Sequence, residues 1–307
     1  MTATLASATS SFAPPWLDRS LYPFASRWHD TPDGRMHYVD EGAGTPVVLV
    51  HGTPTWSFLY RRLIARLAAR HRVVAPDHLG FGLSDKPANA PYAPADHARR
   101  LTTLLDALDV TGATLVVHDF GGPIGLAAAL ARPERIARLV LLDTWMWSVA
   151  GDPKMAKGGK LFASPLGRFL YRHLNLSPRV IMPSAFGDRR TLTPEIHRHY
   201  LAPLATPDER MGAWGFARAL LGASGWYESL WAQRDVLRAK PMLLVWGMKD
   251  PAFGPAYLER WRKEFPAAEV HEVASSGHFV PEEAPDEIGP VIERFVDAAA
   301  PGAVPVR

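Results

Sequence analysis

Three side chains carry the chemistry legible in this sequence: Asp119, His278 and Asp250. Asp119 follows the apolar run Leu115-Val116-Val117-His118 and precedes Phe120-Gly121-Gly122, a strand-to-helix turn tightened by glycine. Such an elbow holds its central side chain at the carboxyl end of a sheet, where the first N–H groups of the next helix favour an anion. The usual elbow reads G-x-S-x-G. Here Asp119 takes the serine position, Val117 stands where the first glycine would be, and no G-x-S-x-G occurs elsewhere in the chain. An aspartate is ionised at pH 7 and attacks carbon without a base. Taken alone, Asp119 could equally cap the helix expected after it. His278 lies in Ser275-Ser276-Gly277-His278-Phe279-Val280, just after the last expected strand. Asp250 closes Leu244–Asp250, just after the strand before that one. Nucleophile, acid, histidine is a recognised chain order for a catalytic triad. Asp143, at the end of the apolar run Leu139–Leu142, is a backup for the acid.

The elements that must position these residues alternate. Strands are expected at Arg35–Asp40, Pro46–Val50, Arg72–Pro76, Thr114–Val117, Arg138–Leu142, Pro241–Trp246 and Glu269–Val273. Helices are expected at Phe58–Arg70, Pro94–Leu108, Gly122–Ala131, Pro255–Glu264 and Glu287–Ala299. This alternation predicts an α/β fold with a mostly parallel sheet covered on both faces. From Met146 to Asp235 the rhythm breaks. That interval has several prolines and helical stretches such as Leu161–Asn175 and Pro194–Leu201, with no convincing strand, and reads as a helical insertion. The expected organisation is a flexible tail over 1–20, a core over 21–145 and 236–307, and a helical cap over 146–235.

The 307-residue chain is 47% hydrophobic and 21% charged, which excludes global disorder. Zero cysteines exclude disulfides, thiolate metal sites and a cysteine nucleophile. A net charge of +3 is too small to point to nucleic acid as a partner. The insertion holds twelve Lys/Arg against seven Asp/Glu, so the basic excess belongs to it. No apolar run approaches a membrane span, and the N-terminus lacks a secretory pattern, so a cytoplasmic location without membrane partners is expected. His197 and His199 lie two apart on an expected helix and make a poor metal pair. Gly80-Phe81-Gly82 does not continue into a dinucleotide site, and neither cofactor nor metal is expected.

The segments His51–Arg61, Pro76–Pro87, the Asp119 elbow, Met248-Lys249-Asp250 and Gly277–Val280 together resemble haloalkane dehalogenases of the α/β-hydrolase superfamily. The resemblance runs from about Tyr22 to Phe295 and is weakest in the insertion. It implies a hydrolase whose Asp119 displaces halide from a small hydrophobic substrate. His278, oriented by Asp250, would then direct water at the resulting ester. The backbone N–H groups of Phe120 and Thr53 would form the oxyanion hole. The pattern departs from the family at the halide donors. A tryptophan commonly follows the nucleophile, where this chain has Phe120. An asparagine often follows the His-Gly pair, where this chain has Thr53. Trp56 and the indoles of Trp145, Trp147, Trp214, Trp226 and Trp231 are the candidate substitutes for halide binding. An epoxide or lactone hydrolase on the same triad is the alternative, with Tyr171, Tyr200 and Tyr227 in the cap. A ligand receptor or luciferase-like oxygenase is a more distant one.

Overall fold

The computed structural model describes residues 14–298. Eight strands form one sheet: β1 (Arg27–Thr31), β2 (Gly34–Glu41), β3 (Pro46–Val50), β4 (Arg72–Pro76), β5 (Ala113–His118), β6 (Ile136–Leu142), β7 (Met242–Gly247) and β8 (Glu269–Val273). Their spatial order is β1-β2-β4-β3-β5-β6-β7-β8. β2 pairs antiparallel with β1 and β4, and all other neighbours are parallel. Val50 lies beside Val117, and Val117 beside Leu141, so the central strands end level with one another. The side chains they present beyond those ends therefore meet at one edge.

Alternation along each strand feeds two cores. Val48 and Val50, Leu115 and Val117, Leu139 and Leu141, and Leu244 and Trp246 pack on one face. Val47 and Leu49, Val116, Val140 and Leu142, and Leu243 and Val245 pack on the other. Strands buried on both faces read as continuous apolar runs, which explains why they were legible.

Between β6 and β7 the described chain is helical, forming a cap inserted between sheet strands. Three of its helices share one local device, a capping residue followed by proline in the first turn. Asp152 accepts from the N–H groups of Lys154 and Met155 ahead of the helix Pro153–Ala163. Ser164 accepts from Gly167 ahead of Pro165–Leu174, and Thr193 from Ile196 ahead of Pro194–Leu201. Ser164 at the cap and Pro165 at the first helical position split the single helix expected over Leu161–Asn175 into two.

Three further differences from expectation have physical causes. β1 is an added edge strand, joined to β2 through Pro32-Asp33 with Thr31 opposite Gly34. Its sequence, Arg-Trp-His-Asp-Thr, lacks the apolar alternation that marks a strand. The segment Phe58–Arg70 opens as a 3₁₀ turn at Ser57–Tyr60 before the α-helix Arg61–Leu67. The tail expected to be flexible over 1–20 is docked in its described part. Leu17 is buried, Trp16 packs edge-on against Trp56 at 5.9 Å, and the Asp18 N–H donates to His199 Nε2 at 3.1 Å. The remainder of that tail lies outside the described residues. No helix among the described residues is long and apolar enough to cross a membrane.

Candidate active site

Asp119 sits between β5 and the helix Gly121–Ala131 with φ +53°, a left-handed conformation that a non-glycine residue adopts at a cost of about 1–3 kcal/mol. The surroundings hold it there. Thr144 donates its hydroxyl to the Asp119 carbonyl at 2.6 Å, and Trp261 donates its indole N–H to the Thr144 carbonyl at 2.9 Å. Gly52, after β3, packs directly on the Asp119 side chain. A Cβ at that glycine would lie 2.5 Å from the Asp119 Cβ, so the approach requires glycine.

The structure brings Asp119, His278 and Asp250 together. His278 Nε2 is 3.0 Å from Asp119 Oδ2, and His278 Nδ1 is 2.8 Å from Asp250 Oδ2. The second Asp250 oxygen accepts the Ala252 N–H at 2.6 Å. The second Asp119 oxygen, Oδ1, accepts the Phe120 backbone N–H. The loops carrying the acid and the histidine cross where Gly247 meets Gly277, and a Cβ on Gly247 would strike the Gly277 carbonyl oxygen at 1.8 Å. All three side chains are buried.

Burial pushes the Asp119 carboxyl up, and the His278 contact offsets only part of that. Burial also disfavours the His278 imidazolium. The carboxylates of Asp250 and Asp119 on its two nitrogens outweigh that effect and hold the ring well above its usual range. Both ring nitrogens thus face carboxyl groups whose proximity favours the protonated ring.

Asp143 lies apart from the histidine's hydrogen bonds. It is fully buried, its Oδ1 accepts the Gly247 N–H at 2.8 Å, and its Oδ2 has no partner. Burial first, and then the charge of Asp250, push its carboxyl well above the usual range.

Trp56, expected among the halide-binding residues, is committed elsewhere. Its indole N–H donates to the His199 carbonyl at 2.9 Å, and its ring packs among Trp16, Tyr22 and Phe58. Phe120 contributes its backbone N–H and an apolar ring stacked on Phe216. The Thr53 hydroxyl is buried without a partner. His197 and His199 each donate to a backbone carbonyl, of Pro178 and Glu195. No group of three or more His, Cys, Asp or Glu suited to a metal occurs among the described residues.

Two contributors lie outside the expected site residues: His118, whose place beside the nucleophile reads as structural, and Glu283. His118 donates from Nε2 to the His278 carbonyl at 2.7 Å, with ring centroids 4.7 Å apart, and so fixes the histidine's backbone. Glu283 accepts the N–H of Gly277 at 3.0 Å and of Phe279 at 3.2 Å, and also that of Gly187 in the cap at 2.7 Å. One carboxylate thus clamps the histidine loop and the cap together. A sequence shows a glutamate five residues after a histidine, but not the orphan N–H groups that it serves.

The α/β hydrolase fold family matches residues 45–285 of this chain. Haloalkane dehalogenase 2 of Mycobacterium tuberculosis is 39% identical over 283 residues, covering 91% of this chain and 97% of that protein. A cis-3-alkyl-4-alkyloxetan-2-one decarboxylase of Shewanella oneidensis is 34% identical over 287 residues, covering 90% of each. Among solved structures, the haloalkane dehalogenase DatA from Agrobacterium tumefaciens C58 superposes with a TM-score of 0.78. It is 26% identical, and the match covers 88% of this chain and 96% of DatA. With an aspartate at the elbow of a matching sheet and relatives of this identity along nine-tenths of its length, the chain belongs to the α/β hydrolase fold family, within its haloalkane dehalogenase branch.

Proposed function

We propose that the protein hydrolyses carbon–halogen bonds through a covalent ester on Asp119. The observation that carries this reading is the fully hydrogen-bonded chain Asp119–His278–Asp250, with carboxylates at both imidazole nitrogens. In the first step an Asp119 oxygen forms a bond to the substrate carbon and the halide departs with the bonding pair. In the second, His278 takes a proton from water as that water attacks the ester's carboxyl carbon. The oxygen facing the Phe120 N–H holds the negative charge of the tetrahedral intermediate. Collapse expels the alkoxide, which takes its proton from His278 to give the alcohol, and the Asp119 acid left behind gives up the second water-derived proton to return the carboxylate. Haloalkane and water become alcohol, halide and a proton.

Esterification also switches the histidine on. An ester at Asp119 carries no charge, so one of the two anions that hold the His278 proton is gone. The ring releases that proton and becomes the base the second step needs. Asp250 orients the imidazole throughout. Asp143 is read as structural, because its one hydrogen bond ties β6 to β7 and not to the ring. Residues 146–235 act as the cap over a small hydrophobic substrate.

A second reading is ring opening of an epoxide or a lactone by the same carboxylate. It is favoured by Phe120, whose ring offers no N–H to a halide, and by the phenol of Tyr227, buried with an unpartnered hydroxyl. A panel of 1-bromohexane, styrene oxide and β-butyrolactone, each run beside Asp119→Asn, tests both. Bromide release lost in the variant supports the dehalogenase reading. Turnover of the oxygen rings alone moves the assignment to the second.

A further inference from the structure

A carbon–halogen bond that breaks in a dry chamber leaves a full negative charge there, and catalysis requires donors aimed at it. The positions where relatives commonly carry side-chain N–H donors hold Phe120 and Thr53, so this chain must place them elsewhere. A buried polar hydrogen without a partner calls for an explanation, and beside a reacting group a ligand is one. Most indoles of the core are occupied. Trp56, Trp214, Trp246 and Trp261 each donate to a backbone carbonyl. Trp145 alone among the described indoles has a buried N–H with no partner, and Tyr227 alone among the described tyrosines has a buried hydroxyl with none.

These two residues are neighbours. Their rings meet edge-on with centroids 5.8 Å apart. The Trp145 ring also stands edge-on to Phe120 at 4.8 Å, directly after the nucleophile, and stacks on Phe253 at 4.4 Å. Phe253 in turn lies 5.7 Å from the His278 ring. Trp145 is thus held in an aromatic wall whose other members touch the nucleophile's neighbour and the histidine. Tyr227 meets this wall from the cap helix Ser224–Ala232, and the Asp119 carboxylate adds to the burial that raises its phenol.

We propose that Trp145 Nε1 and Tyr227 Oη are catalytic residues that together receive the departing halide. The proposal rests on the aspartyl-ester reading for its chemistry. One donor comes from the loop after β6 and one from the cap, so the leaving-group site is complete only with the cap in place. Both donors are neutral. They respond to charge as it develops and release the product halide more readily than an arginine or lysine would.

The test uses two readouts on the full chain carrying Tyr227→Phe or Trp145→Phe. Sodium bromide binding is followed by fluorescence quenching and by product inhibition. In a His278→Phe background, where the second step has lost its base, the rate of adduct formation with 1-bromohexane is followed by intact mass. Removal of either donor is expected to slow alkylation by roughly 10²-fold and to weaken bromide binding at least about tenfold. Alkylation at the parent rate, or bromide binding unchanged in the variants or absent from the parent, overturns the proposal. Tyr227→Phe deletes a single oxygen, and it decides the matter if Trp145→Phe fails to fold. If the His278→Phe parent forms no adduct at all, the ester reading has failed instead. The bromide measurement then judges the donor pair alone: weaker binding in Tyr227→Phe supports it, and unchanged binding overturns it.

Discussion

On the sheet side of the site, every polar side-chain atom of Asp119, His278 and Asp250 has a hydrogen-bond partner within the protein. On the wall formed by Trp145 and Tyr227, the indole N–H and the phenol hydroxyl are buried with none. The two walls meet the reaction at different times. The triad must be aligned before substrate arrives, so the fold fixes it from the resting state. The charge on a leaving group exists only during and after bond breaking, so its donors wait unpaired. Each unmet polar hydrogen costs about 1–3 kcal/mol, and a partner that arrives in the transition state recovers that cost where it lowers the barrier.

Variants of the satisfied wall should have the largest effects. Asp119→Asn removes the nucleophile, and turnover is expected to fall at least about 10⁴-fold in a halide-release assay. Asp250→Asn keeps the shape but loses the charge that orients His278, and a loss of roughly 10³–10⁴-fold in kcat is expected. Loss of a single donor from the unsatisfied wall should cost less, about 10²-fold, as set out for Trp145 and Tyr227. That ordering, measured in one assay, sharpens the contrast, and a reversed ordering breaks it.

The pH dependence carries a definite sign. The second step needs neutral His278, so its rate falls as pH drops through the histidine's pKa in the ester. Asp250→Asn removes the remaining anion that holds the proton and should move this acid limb to lower pH, read from single-turnover decay of the ester. Asp143 gives the smallest effect. Asp143→Asn should change kcat by less than tenfold, under about 1.4 kcal/mol. Its folded pKa is raised above the unfolded value, so the wild-type carboxyl contributes stability at low pH that is lost as pH rises through the folded pKa. An amide cannot ionise. Asp143→Asn is therefore expected to gain thermal stability over the wild type progressively as pH rises, in melts from pH 5 to pH 8.

The satisfied wall was legible in the sequence residue by residue, whereas Trp145 and Tyr227 were legible only as candidates among several indoles and cap tyrosines. β3, β5, β6 and β7 are apolar because both faces are buried, and Asp119, Asp250 and His278 fall just beyond strand ends, where loop residues must converge. Ten tryptophans were equally visible, but an indole is distinguished only by whether its N–H finds a carbonyl, which is a tertiary fact. Trp56 reaches the carbonyl of His199, 143 positions away, and Trp145 reaches none. The docking of Trp16 and Leu17 was hidden for the same reason, since their partners lie far along the chain.

The covalent ester on Asp119 is open to direct observation by intact mass spectrometry of His278→Gln after exposure to 1,2-dibromoethane. A stoichiometric gain of one bromoethyl group, mapped by peptide analysis to Asp119 and absent from His278→Gln/Asp119→Asn, is the expected result. An unmodified Asp119 in a variant that still releases bromide would rule the ester out.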